Sequence, residues 1–267
     1  MIVAGLDVGS KNVQVVVLKD GQVAGRASVA SGFEQEESAR AGLESAAQAA
    51  GVSVDDVAYV VATGVGRKAV AFAQHQVTEV AADAKGAHGL MPQARTVIDV
   101  GADEARAVRI DGGGKVVDFA VNEKCAAGAG AFVEAMSRAL EVSLQRFGEI
   151  SMESTESIPM NAQCTVFAES EVVSLIHSNT PQKDIAKAVH DAMAGRVSAM
   201  ARRAGLEDAV VIGGGVAFNS GFVKALKNTL GVSELRVLPE PEYVGAYGAA
   251  LIAAERVEAS EPVTQGV

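Results

Sequence analysis

The sequence predicts an α/β fold made of two duplicated halves, and three observations point to it. Thr96-Val-Ile-Asp99-Val-Gly101 repeats the apolar run and the Asp-x-Gly ending of the opening stretch, Ile2 to Gly9. The offset is regular: Asp7 to Asp99 and Gly9 to Gly101 are 92 positions apart, and Asp20 to Asp111 and Gly21 to Gly112 are 91 apart. A period this long marks a duplicated supersecondary unit. Each copy also opens with three strand-like runs in succession and then turns helical, as a meander followed by helices does.

In the first copy the strands are Ile2 to Asp7, Val13 to Leu18 and Gln22 to Val29, with Lys19-Asp20-Gly21 as a turn. An amphipathic helix from Gln35 to Ala50, a strand from Val57 to Ala62, the loop Thr63-Gly-Val-Gly-Arg67 and a helix from Glu79 to Leu90 complete it. Pro92 closes this half, giving 1–92 and 93–242 as domains. The second copy runs through Ala105 to Ile110, Asp111-Gly-Gly-Gly114 and Lys115 to Val121, and its remainder is mostly helical. Helices are expected over Phe167 to Ser178 and over Gln182 to Ala204, the latter with Pro181 at its start, where proline is favoured. A buried strand, Ala209 to Ile212, leads into Gly213-Gly-Gly-Val-Ala-Phe-Asn219 and a helix ending near Leu230. Glu234 to Leu238 is the last strand. The small-residue helix 243–257 is expected to return to the first half, and 258–267 has the composition of a disordered tail.

Composition narrows the function classes. The 267 residues are 49% hydrophobic and 21% charged, ordinary for a globular chain, and the net charge of −10 argues against a nucleic-acid partner. No apolar run reaches the roughly 18 residues of a membrane helix. Met1-Ile-Val enters the first strand without a basic leader, so with two cysteines a reducing cytoplasm is expected and a disulfide is not.

Those cysteines have one setting. Cys125, in Asn122-Glu-Lys-Cys-Ala-Ala-Gly-Ala-Gly130, and Cys164, in Asn161-Ala-Gln-Cys-Thr-Val-Phe-Ala-Glu-Ser170, each follow a non-helical run and open a helix. Unpaired N–H groups at a helix start suit an anionic centre. A four-iron cluster needs four ligands, which two chains about a two-fold axis supply. On these residues alone, a shared cluster and two inert buried thiols both stand.

The three glycine turns carry the clearer signal. A strand–Asp-x-Gly–strand hairpin lets backbone N–H groups approach phosphate, and an Asp at the strand end suits a metal ion or the attacking water. One such turn means little. Two of them followed by a triple glycine after a buried strand indicate a nucleotide cleft: Asp7 and Asp99 as catalytic residues, and Gly9, Ser10, Lys11, Gly101, Ala102, Gly213, Gly214, Gly215 and Asn219 around the phosphates. His75, His88, His177 and His190 share no ligand spacing, Asp20 and Asp111 read as turn residues, and Glu169 and Glu171 as solvent-facing.

With these motifs the whole chain resembles the ATPase superfamily of actin, the heat-shock chaperones and the sugar kinases. It resembles more narrowly the family uniting 2-hydroxyacyl-CoA dehydratase activators with the ATPase subunits of ATP-dependent benzoyl-CoA reductase. Thr63-Gly-Val-Gly-Arg67 and the two cysteine motifs carry the narrower likeness. It implies two RNase-H-like halves around a nucleotide, ATP and Mg²⁺ as cofactors, and a [4Fe-4S] cluster on Cys125 and Cys164 shared with a homologous subunit. It also implies reduced ferredoxin as donor and catalytic subunits as acceptors. Asp99-Val-Gly-Ala-Asp-Glu104 departs from the Gly-Gln-Asp continuation typical of dehydratase activators and places Asp103 and Glu104 near the metal. The expected role is therefore the electron-transferring subunit of a benzoyl-CoA reductase. A homodimeric dehydratase activator is the first alternative, and an acetylamino-sugar kinase the alternative of another class.

Overall fold

A computed structural model describes residues 1–122, 128–160 and 164–260. The chain divides into two compact units: Met1–Pro92 with the segment from Glu242 onward, and Gln93–Pro241.

The first unit is built on a five-stranded sheet ordered β3-β2-β1-β4-β5, from β1 (Ile2–Val8), β2 (Asn12–Lys19), β3 (Gln22–Ala30), β4 (Tyr59–Thr63) and β5 (His75–Gln76). β1, β2 and β3 are an antiparallel meander, while β4 lies parallel to β1 with Asp7 opposite Thr63. Side chains alternate across a sheet, and both faces are covered. Leu6, Val8, Val15 and Ala62 pack with Ala39, Leu43 and Ala46 of α1 (Gln35–Ala49). Val3, Val16 and Val61 pack with Ala246, Ala249 and Ala253 of α8 (Val244–Ser260). The C-terminal helix is thus part of this unit, and α2 (Glu79–Leu90) packs on it. Residues 261–267, the rest of the expected tail, lie outside the described residues.

The second unit repeats the topology. Its sheet is ordered β10-β9-β6-β7-β8, from β6 (Thr96–Val100), β7 (Ala105–Ile110), β8 (Val116–Asn122), β9 (Val210–Gly213) and β10 (Leu235–Val237). β9 lies parallel to β6 with Asp99 opposite Gly213. One core joins this sheet to α3 (Gly130–Ala139), α4 (Leu144–Ser151), α6 (Gln182–Ala204) and α7 (Ser220–Leu230), with Phe132, Phe147, Ile185, Met193 and Phe222 at its centre. α5 (Thr165–His177) buries only Ala168 and Val172 in that core. Among the described residues no helix is long and apolar enough to cross a membrane.

Candidate functional site

Each unit ends its first strand in the same tight hairpin. Gly9 donates to the Asn12 carbonyl at 3.0 Å, and Gly101 to the Glu104 carbonyl at 2.9 Å. Ser10 and Lys11 stand exposed at the tip of the first hairpin, whereas Ala102 at the second is half-buried. Next to each hairpin the parallel strand ends in a glycine at positive φ, Gly64 at 89° after β4 and Gly214 at 79° after β9. A β-carbon on Gly64 would collide with the Val8 carbonyl, and one on Gly214 with that of Val100. Thr63-Gly-Val-Gly is therefore the first unit's counterpart of the triple glycine, a correspondence the repeat count does not show.

The carboxylates differ. Asp99 is 6% exposed and lies opposite Arg106, whose Nη2 donates to its Oδ1 at 2.7 Å; Arg106 Nη1 is 3.2 Å from Glu104 Oε2. Burial pushes the Asp99 carboxyl above its ordinary range, while the Arg106 charge and hydrogen bond pull it back. Asp7 is half-buried and lies opposite Gln14. A β-carbon on Gly64 would stand 2.6 Å from Asp7 Oδ1, and one on Gly245 2.5 Å from Oδ2, so the carboxylate sits between two glycines.

In the second unit the hairpin is bonded to a helix. The Gly101 carbonyl accepts from Gly130 N–H at 2.9 Å, and the Ala102 carbonyl from Ala131 N–H at 2.8 Å. Two donors that a helix leaves open at its N-terminus are thus satisfied by the turn. A β-carbon on Gly130 would press on the Gly101 oxygen and on Val216, so the hairpin, the glycine loop and the start of α3 meet at one place. Gly213 ends β9, the Gly214 N–H donates to the Pro241 carbonyl at 2.8 Å, and Gly215 begins a short 3-10 turn to Phe218.

Asn219, expected near the phosphates, has both ends of its amide engaged. Its Oδ1 caps α7 by accepting from Phe222 N–H at 3.0 Å, and its Nδ2 donates to His190 Nε2 at 3.0 Å. His190 Nδ1 faces the Ala186 carbonyl at 2.7 Å, which fixes Nδ1 as the protonated nitrogen. Burial lowers the His190 pKa to about 4.

Cys125 lies outside the described residues. Cys164 is a free, partly exposed thiol at the N-cap of α5, and α5 packs against α3, the helix that follows Cys125 in sequence. Among the described residues no group of three or more metal-ligating side chains assembles. Sequence reasoning did not single out Arg106 or His190 as neighbours of the expected site residues. Only the alignment of Gln14 with Arg106 in the repeat could have drawn attention to the first.

The sequence model of the BadF/BadG/BcrA/BcrD ATPase family matches residues 4–253. The chain belongs to this family. It is 40% identical over 258 residues to the activator of lactoyl-CoA dehydratase from Anaerotignum propionicum, covering 97% of this chain and 99% of that one. A benzoyl-CoA reductase subunit from Thauera aromatica is 32% identical, over 96% of this chain and 94% of that one. The activator of the 2-hydroxyisocaproyl-CoA dehydratase from Clostridium difficile, with bound ADPNP, superposes with a TM-score of 0.92 at 35% identity, covering 100% of this chain and 99% of the other. The doubled α/β fold is that of this ATPase family. These likenesses back the dehydratase-activator alternative better than the expected reductase role. The reductase reading leaned on Ala102-Asp103-Glu104, and the Glu104 carboxylate is engaged by Arg106 within the second unit. One such turn is too small a sample to outweigh the rest of the chain.

Proposed function

We propose that the chain is an ATP-dependent activator of a 2-hydroxyacyl-CoA dehydratase. It would act as a homodimer that passes single electrons from a low-potential donor such as reduced ferredoxin to the dehydratase. The observation that carries this reading is the pair of hydrogen bonds from Gly130 and Ala131 to the Gly101 and Ala102 carbonyls. They tie the turn expected at the phosphates to the helix that follows Cys125.

Each unit carries a turn suited to the phosphates of ATP with Mg²⁺: Gly9, Ser10 and Lys11 in the first, and Gly101, Ala102 and Gly213 to Gly215 in the second. Asp7 would organise the Mg²⁺ and the attacking water, whose oxygen bonds the γ-phosphorus as the bond to ADP breaks; Asp99 would hold the second hairpin through Arg106. Any change at Gly101 on hydrolysis then acts on the first turn of α3. The donor set suits a cluster: Cys164 presents a partly exposed thiol at the start of a 13-residue helix. A [4Fe-4S] centre held by Cys125 and Cys164 of two copies would supply a one-electron carrier. Val166 and Phe167, 66% and 65% exposed beside Cys164, offer an apolar surface to a second copy or to the dehydratase.

The test is anaerobic. The protein is mixed with a strong one-electron reductant and ATP, and then either with a 2-hydroxyacyl-CoA dehydratase and its substrate or with benzoyl-CoA reductase catalytic subunits and benzoyl-CoA. Dehydration that requires ATP hydrolysis and is lost in Cys164→Ala is expected. Ring reduction without dehydration would replace this reading with the reductase, and dehydration that proceeds equally without ATP would end it.

A further inference from the structure

The first unit holds a constellation around Asp7 that the sequence did not single out. Asp83, on α2, is 1% exposed. A β-carbon on Gly245 would stand 2.5 Å from Asp7 Oδ2 and 3.4 Å from Asp83 Oδ1, so the two carboxylates face one point beside the second residue of α8. Thr63 is the third member. It lies opposite Asp7 in the parallel register of β1 and β4. Strand alternation puts it on the side of Val61, which packs against α8. Val3 sets the same side for Asp7. The Thr63 hydroxyl is fully buried, and its oxygen has no hydrogen-bond partner.

A buried hydroxyl without a partner is costly to keep and is rare in folded proteins. A valine would fill the same space on this apolar face without that cost. Two carboxylate oxygens and a hydroxyl oxygen are the donor set a hard divalent cation takes, with water completing its shell. The half-exposure of Asp7 leaves that set open on one side. Gly245 keeps the point clear, since any side chain there would occupy it.

We infer that Asp7, Thr63 and Asp83 form a divalent-cation site of the Mg²⁺ class within the first unit, occupied before nucleotide binds. Asp83 and Thr63 position the cation from behind, and Asp7 faces it from the half-open side. The inference rests on the reading of Asp7 as the metal-organising residue of the ATPase, and it assigns that site two further ligands.

Mn²⁺ serves as the probe. Its binding to nucleotide-free protein is followed by electron paramagnetic resonance for the wild type, Asp83→Asn and Thr63→Val, with melting temperatures in metal-free and Mn²⁺ buffers. One Mn²⁺ bound without nucleotide is expected, weakened at least about tenfold in Asp83→Asn and several-fold in Thr63→Val. Thr63→Val loses no hydrogen bond within the protein, so in metal-free buffer it should melt no lower than the wild type, while gaining less from Mn²⁺. No Mn²⁺ binding by nucleotide-free wild type overturns the site. So does affinity within about twofold of wild type in both variants, or a Thr63→Val melting point lowered equally with and without metal. If the dehydratase assay fails while this Mn²⁺ pattern holds, the partner assignment falls and the site stands. The converse result removes only the site.

Discussion

The two hairpins share a backbone device and differ in what surrounds it. In the first unit Thr63 and Gly64 cross Val8; in the second Gly213 and Gly214 cross Val100 at the same register. The first hairpin keeps oxygen chemistry around its carboxylate: Thr63 opposite Asp7, and Asp83 facing it past Gly245. The second has a glycine opposite Asp99, a guanidinium on its carboxylate, and the first turn of a helix on its carbonyls. Duplication supplied two equivalent turns. On the proposed reading the first would hold reactants, and the second would fix its carboxylate and pass displacement to α3.

The largest effect expected from this contrast is on stability. Arg106→Met leaves Asp99 buried beside no cation, a loss of about 3–5 kcal/mol. Gln14→Met at the equivalent, half-exposed position should cost no more than about 1 kcal/mol. Urea unfolding of the two variants measures the difference, and equal losses would show that the carboxylates are not differently held.

Next in size is a pH effect on the bracing of the two glycine loops. In the first unit the brace is a guanidinium: Arg67 donates to the Gly64 carbonyl at 2.8 Å. In the second, Asn219 is braced by neutral His190, whose pKa is lowered to about 4. A depressed histidine means that the unfolded chain takes the proton first. The contribution is fully present above the unfolded pKa of about 6.5 and is lost as pH falls towards 4, by about 3 kcal/mol in all. His190→Gln should remove that part of the acid slope. In the wild type, exchange protection around 213–222 should fall before that around 63–70; a simultaneous loss would refute the contrast.

Much of the architecture was legible because it repeats. Asp7 and Asp99, the helices at 79–90 and 182–204 and the glycine run at 213–215 follow from period, caps and apolar spacing. What escaped depends on long-range packing. Arg106 reads as a charged position within β7, and only the register with Asp99 reveals a buried ion pair. Asp83 stands among alanines and reads as a solvated helix position until α8 covers it. α4 is a helix of 8 residues whose Phe147 and Ile150 reach the core, too short to stand out from the mostly helical remainder. Family membership followed from the motifs. The choice between reductase and activator did not, because it hung on three residues at one turn.

The smallest structural change should sharpen the comparison most. The Gly9 carbonyl accepts the Ser31 hydroxyl at 2.7 Å, a bond to the end of β3, whereas its counterpart Gly101 accepts the N–H of Gly130 in α3. A β-carbon on Gly130 would stand 3.0 Å from Val216 Cγ2 and 3.1 Å from the Gly101 oxygen, close enough to push the helix start away by a few tenths of an ångström. Alanine favours helix over glycine, so Gly130→Ala should change global stability by less than about 1 kcal/mol. Nucleotide affinity should stay within about threefold, a shift below about 1 kcal/mol. On the proposed reading, ATP-dependent activation of a dehydratase should fall further than nucleotide affinity does, because the turn then bears less directly on α3. Ser31→Ala removes the matching bond in the first unit, where no such helix is attached, and any loss of activation there should track its loss of nucleotide affinity. The two variants are compared by nucleotide titration and by turnover of the reduced dehydratase under one set of conditions. If Gly130→Ala loses affinity and activation in proportion, as Ser31→Ala is expected to, then α3 takes no signal from the Gly101 turn and the two hairpins differ only in how they hold their carboxylates.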